Sequence, residues 1–289
     1  MLSLRRKIES GIEQGIARDS IFREYVENRE DYEVTEQEAD YAFQSMLGGG
    51  ARSPLNAIMT LCYLMMEHPQ WQQKLQAEVD IVVGADRLPT FEDIPNLPIV
   101  RAVVKEEVRY RTIVAELGIP HRLDEDDVYE GYFFAKGTVF PDQGHRSILM
   151  DKTAHPARWL DPGYPTYREP LTVHPDLQNF TPFGYGRCAC PGYDFVERTL
   201  VIMVARLASG FNFEKPIDPA TKEPAVIEIR YKPTPNPRRL PFACCIVSKG
   251  EKRAEIIQKE ANNLKFHSRH MLLRRELTQS EDFHQNRDE

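Results

Sequence analysis

Residues 183–192 read FGYGRCACPG. Three glycines, a proline and two cysteines share ten positions. Glycine admits backbone angles and close approaches that other residues forbid, so a loop of this kind is built to present something. The candidate is the sulfur of Cys190. The next residues, YDFVERTLVIMVARLA (193–208), place Phe195, Leu200, Val201, Val204 and Leu207 at helical spacing,. Cys190 therefore stands just ahead of a helix. A helix N-terminus carries free N–H groups and partial positive charge, a setting that favours the thiolate, the form that ligates metals or attacks electrophiles. Three roles stay open on these grounds: nucleophile, metal ligand or structural residue. A nucleophile needs a base, and the loop holds no histidine; His121, His145, His155 and His174 lie elsewhere in the sequence.

The rest of the chain narrows the class. It has 289 residues, 41% hydrophobic and 28% charged, a balance that fits a globular protein and opposes general disorder. The net charge of −7 gives no support to a nucleic-acid partner, which would call for a basic surface,. Five cysteines at 62, 188, 190, 244 and 245 are odd in number and unevenly spaced. That opposes a disulfide framework and points to a reducing compartment. No CxxC pair is present, which weakens a zinc-binding module. The polar start lacks the apolar core of a signal peptide, and no run has the apolar length of a membrane span or anchor.

Periodicity predicts helices over 4–29, 36–47, 55–67, 69–84 and 99–111, besides the one after Cys190. Between the second and third lies GGGARSP (48–54). In a helix each glycine costs about 1 kcal/mol and the proline about 3. One reading is a loop joining two helices; the other is a distorted helix that leaves room for a ligand. Short strands are expected within 113–123, 128–140 and 147–150, and a closing hairpin within 224–248. Residues 151–182 read as irregular, and the charged tail from 250 as frayed or helical at the surface. The fold class is mainly α with small β-sheets.

Two more short motifs carry weight only in company. Glu106 and Arg109 stand three apart on a predicted helix and share a face. Alone, they read as an exposed ion pair worth at most a few tenths of a kcal/mol. PARW (156–159) offers Arg158 beside an apolar Trp159.

In their order and spacing these motifs resemble the cytochrome P-450 family of heme-thiolate monooxygenases. The family's loop pattern FxxGxRxCxG is matched at Phe183, Gly186, Cys190 and Gly192. Its ExxR helix is matched by Glu106 and Arg109, and the arginine that joins them by Arg158. LGIPH (117–121) resembles the strand beside the heme, with His121 where a propionate-binding residue lies. DRLPTFEDIPNLPIVRAVVKEEVRYR, DDVYEGYFFAKGTV and PFACCIVSKGEKRAEII resemble the fungal, microsomal-type branch. The resemblance runs from the first helix to about residue 260, and implies a partial cytochrome P-450 domain over 1–250 with a charged tail over 251–289.

The resemblance implies that Cys190 is the axial thiolate ligand of heme b (iron protoporphyrin IX). Such a ligand pushes electron density onto the iron and favours O–O cleavage. Phe183 would pack beneath the heme, and Glu106, Arg109 and Arg158 would lock the loop as a buried network. The activity implied is insertion of one oxygen atom into an apolar small-molecule substrate. Electrons would come from NADPH through a cytochrome reductase docking near Arg187, at the endoplasmic reticulum membrane; without an anchor in this chain, a cytoplasmic location is the alternative.

The pattern also breaks. The loop arginine is replaced by Cys188, leaving Arg187 as the neighbouring cation. The oxygen-helix motif aligns with GGARSP (49–54), so Arg52 replaces the acid, Ser53 the threonine and Pro54 the next residue. The stretch from Ser147 to Arg158 is short for the family. The match covers roughly the C-terminal half of the family fold, so the anchor, the early helices and most substrate-recognition segments are expected to be absent and large apolar faces exposed. An inactive remnant that binds heme weakly or not at all is the alternative expectation.

Overall fold

The computed structural model describes residues 2–110, 120–140, 153–228, 230–232 and 238–263. The expected strands over 113–119 and 147–150, His145 and the tail beyond 263 lie outside them. Seven α-helices are found among the described residues: α1 (Leu2–Glu13), α2 (Ile21–Glu27), α3 (Glu36–Glu67), α4 (Pro69–Val83), α5 (Pro98–Tyr110), α6 (Tyr193–Gly210) and α7 (Glu251–Asn263).

The predicted helix over 4–29 is two helices. Ser20 starts the second, its hydroxyl accepting from Arg23 N at 3.1 Å. Of the two readings of 48–54, the helical one holds: α3 is one helix of 32 residues with Pro54 inside it. Its start is secured by a capping box, in which Glu38 N donates to Thr35 Oγ1 at 3.2 Å and Thr35 N to Glu38 Oε2 at 2.8 Å,. Its second half is held by burial of Ala57, Leu61, Leu64 and Met65 in the core. Cap and core together offset the cost of Gly48, Gly49, Gly50 and Pro54.

Helix α6 is the centre of the molecule, packing on α3, α4 and α5. It contributes Val196, Leu200, Val201, Val204, Ala205 and Ala208 to the same core as Leu75 and Val79 of α4 and Val100, Val104 and Val108 of α5. Burying each such aliphatic side chain is worth roughly 1.5–3 kcal/mol before entropy is charged.

The sheets are small and antiparallel. Strand β1 (His121–Arg122) pairs with β4 (Val139–Phe140), and β2 (Asp127–Tyr129) with β3 (Tyr132–Phe134). Near the C-terminus β5 (Phe211–Glu214) pairs with β8 (Cys245–Ser248), and β6 (Tyr231–Lys232) with β7 (Arg238–Arg239). The closing hairpin expected within 224–248 is thus β6–β7. Strand β8 instead returns to β5, with Phe213 facing Ile246.

From Glu251 to Asn263 the chain is helical and docked. Arg253 of α7 is buried; its Nη2 donates to Asp80 Oδ1 at 2.9 Å and to the Gly84 carbonyl at 2.8 Å. These contacts lie at the C-terminal end of α4, where cations complement the helix dipole.

Candidate functional site

Glu106 sits near the end of α5 and is 1% exposed; Arg109, one turn on, is 3% exposed. The exposed-pair reading is therefore wrong. Arg109 grips the carboxylate with two parallel bonds, Nε to Oε2 at 2.9 Å and Nη2 to Oε1 at 2.8 Å. Arg158 Nε lies 3.1 Å from Oε1 and 3.0 Å from Oε2. The His155 N–H donates to Oε1 at 2.7 Å, and Trp159 Nε1 donates to Oε2 at 2.9 Å. Arg109 Nη2 also donates to the Thr153 carbonyl at 2.7 Å. A carboxylate so fully supplied with donors is fixed in place, and removing it strands two arginines out of water.

Sequence reasoning treated Trp159 as an apolar neighbour of Arg158. A buried indole nearly always finds a partner for its N–H, and that rule was the available signal. The His155 N–H left no trace in the sequence, because any residue but proline supplies one.

The Cys190 loop is pinned through its backbone. The Phe183 N–H donates to the Phe180 carbonyl at 2.9 Å, and the Cys190 N–H donates to the Phe183 carbonyl at 2.7 Å. Gly184 has φ 75° and Gly186 φ 55°. Both lie in the left-handed region, where a side chain is strained. Phe183 is half-buried against the core. Cys190 is a free, half-buried thiol. Gly192 is the N-cap of α6, and a Cβ there would lie 3.9 Å from Cys190 Sγ. The thiol thus stands at the positive end of the central helix.

The segment feeding this loop is held from both helices. Arg101 of α5 donates to the carbonyls of Val173 and Leu171. Glu197 of α6 accepts from Leu177 N at 3.2 Å. Burial pushes the Glu197 carboxyl up from its ordinary range and the Lys105 ammonium down,.

The other expected site residues join neither the Glu106 network nor the hydrogen bonds given above for the Cys190 loop. His121 is exposed on β1, paired with Phe140, and among the described residues makes no hydrogen bond or ion pair with the loop. Arg187 is exposed at the loop tip. Ser53 is half-buried within α3. The side chains of Arg52 and Cys188 lie outside the described set.

The donor set suits a heme. Cys190 offers one soft sulfur donor, and among the described residues no three His, Cys, Asp or Glu side chains converge on a common point. A porphyrin brings four nitrogen ligands of its own and needs one axial donor from the protein. Gly192 keeps the flank of the sulfur free of a side chain.

Comparison with known proteins agrees with this geometry. Residues 5–235 match the model of the cytochrome P450 family. The chain belongs to that family. It is 52% identical over 272 residues to cytochrome P450 monooxygenase psoD of Aspergillus fumigatus, covering 92% of this chain and 52% of psoD. To cytochrome P450 monooxygenase claR of Ampulloclitocybe clavipes it is 32% identical, over 75% of this chain and 40% of claR. The fold is similar to that of a zebrafish cytochrome P450 solved with abiraterone, with TM-score 0.59 and 24% identity, over 75% of this chain and 49% of that one. The chain thus spans about half the length of the relatives it matches.

Proposed function

We propose that this chain carries the thiolate side of a heme-thiolate monooxygenase, with Cys190 as the axial ligand of heme b. The observation that carries the reading is Cys190 itself. It is a free, half-buried thiol at the head of α6, pinned by its N–H to Phe183, downstream of a saturated Glu106 network. Phe183, Gly186 and Gly192 shape the loop that would hold the heme. His121 and Arg187 are the candidate partners for its propionates, and Ser53 for a proton on the opposite side. When bound, the heme would supply oxygen activation, sending one oxygen atom into an apolar substrate and the other to water.

The residues of this chain have tasks that need no further group. Glu106, Arg109 and Arg158 fix the register of α5 against the segment 153–159. The N-terminus of α6 sets the position of the Cys190 sulfur. Arg187, exposed and cationic, suits the docking of a reductase that carries electrons from NADPH. The membrane of the endoplasmic reticulum is the expected place of work, by analogy with the microsomal branch. Arg52, standing where the family has an acid, cannot relay a proton as a carboxylate does. Oxygen reduction is therefore expected to couple poorly to product. With reductase, NADPH and an apolar substrate panel, hydrogen peroxide released per NADPH tests this. A high ratio is expected; product matching NADPH one for one would refute it.

A further inference from the structure

Lys105 precedes Glu106 on α5 and is half-buried, yet no carboxylate lies in ion-pair distance among the described residues. Its ammonium donates to the Asp176 carbonyl. It also lies 4.9 Å from the ring centroid of Trp159 and 4.9 Å from that of Phe180. Those two rings meet edge to face, 5.7 Å apart. A buried cation over two aromatic faces exchanges hydration for ring quadrupoles.

The two rings belong to the two halves of the site. Trp159 donates to Glu106 Oε2 at 2.9 Å. Phe180 receives the Phe183 N–H at 2.9 Å, and Phe183 receives the Cys190 N–H at 2.7 Å. The contacts therefore run unbroken from Glu106 through Trp159, Phe180 and Phe183 to the backbone of Cys190, and Lys105 closes over the one junction that is not a hydrogen bond.

We propose that Lys105 is a positioning residue for Cys190, clamping the Trp159–Phe180 contact so that the Cys190 loop is held to the Glu106 network. This rests on the reading of Cys190 as the functional thiol. Arg101 and Glu197 fasten other points of the same segment, at 171–173 and at Leu177. Loss of Lys105 therefore loosens 176–183 locally and leaves the fold intact.

The test is alkylation of the heme-free chain by iodoacetamide, read peptide by peptide with the exposed Cys245 as internal reference. Lys105→Met keeps the apolar stem and removes the ammonium. It is expected to raise the Cys190 rate relative to Cys245 by about tenfold, equivalent to ~1.4 kcal/mol in local opening. Phe180→Leu is expected to do the same from the loop side, and Lys105→Arg to stay near the native rate. A relative rate within about twofold of native in both Lys105→Met and Phe180→Leu, with native circular dichroism, overturns the proposal. If Lys105→Met does not fold, Phe180→Leu decides by the same criterion. The second readout is the carbon-monoxide spectrum of the reduced, heme-loaded protein. At a temperature where circular dichroism shows the variant fully folded, Lys105→Met is expected to shift part of the red-shifted band to shorter wavelength. A native chain that takes up no heme would sink the proposed function, and the alkylation result would still decide this one.

Discussion

On the α5 side of the molecule, Glu106 is wrapped by two guanidinium groups, an indole and a backbone N–H. On the first half of α3, a Cβ added to Gly48, Gly49 or Gly50 would meet nothing within 4 Å, and Tyr41, Met46 and Leu47 are exposed. The chain packs the first region on every side, but the second on one face only, where Ala39 is buried and Phe43 meets Phe22 and Tyr25. The first can be rigid by itself. The open face around Gly48, Gly49 and Gly50 is left to helix propensity, a weak force, while the start of α3 has the Thr35 cap and the Phe22–Phe43 contact. Residues that would hold a thiolate are over-determined, while residues that would face oxygen are not.

The largest test of that contrast is Glu106→Ala. It removes the carboxylate that two arginines, an indole and a backbone N–H share, and stability is expected to fall by about 3–5 kcal/mol. Chemical denaturation would show it; a loss near 1 kcal/mol would mean that water reaches the network. Trp159→Phe keeps the ring stack with Phe180 and removes one donor. A smaller loss is expected, about 1–3 kcal/mol, because the carboxylate stays buried with one bond fewer. On α3 the sign reverses. Gly49→Ala fills open space in a helix and is expected to stabilise by up to ~1 kcal/mol. A destabilised variant would reveal a neighbour at that position that the fold does not show.

The smallest effect concerns pH. Burial holds the His68 imidazole below its ordinary range; Glu67 opposes that shift, while His155 and Lys215 add to it. His68 also borders a cavity of about 20 Å³ that has Trp71 and Glu106 on its wall. Because the folded state binds its proton less readily than the unfolded chain, this contribution is complete above about pH 6.5 and declines as pH falls below it. Thermal midpoints measured from pH 7.5 to 5 should decline, and His68→Gln should flatten part of the decline. Equal slopes in the two proteins would remove His68 from the account.

Much of the fold was legible because it rests on local pattern. Helices α4, α5 and α6 follow apolar spacing to within two residues, and Gly84 ends α4 as expected. The helix α3 was harder, since glycine and proline argue for a loop and only the burial of Leu61 and Met65 decides otherwise. The β5–β8 pairing joins segments more than thirty residues apart, and no local signal encodes it. At the site, spacing alone could not show that Glu106, Arg109 and Arg158 are buried, because an i, i+3 pair looks the same on a wet face; only the family resemblance implied a buried network. The donors from His155 N and Trp159 Nε1 came from tertiary placement alone.

The central claim is that Cys190 ligates heme iron as a thiolate. Its most direct test is the reduced, carbon-monoxide-bound absorption spectrum of the heme-loaded chain, beside that of Cys190→Ala. The account predicts a strongly red-shifted Soret band in the native chain and its loss in the variant. A native chain without bound heme, or a band that Cys190→Ala leaves unchanged, would contradict it.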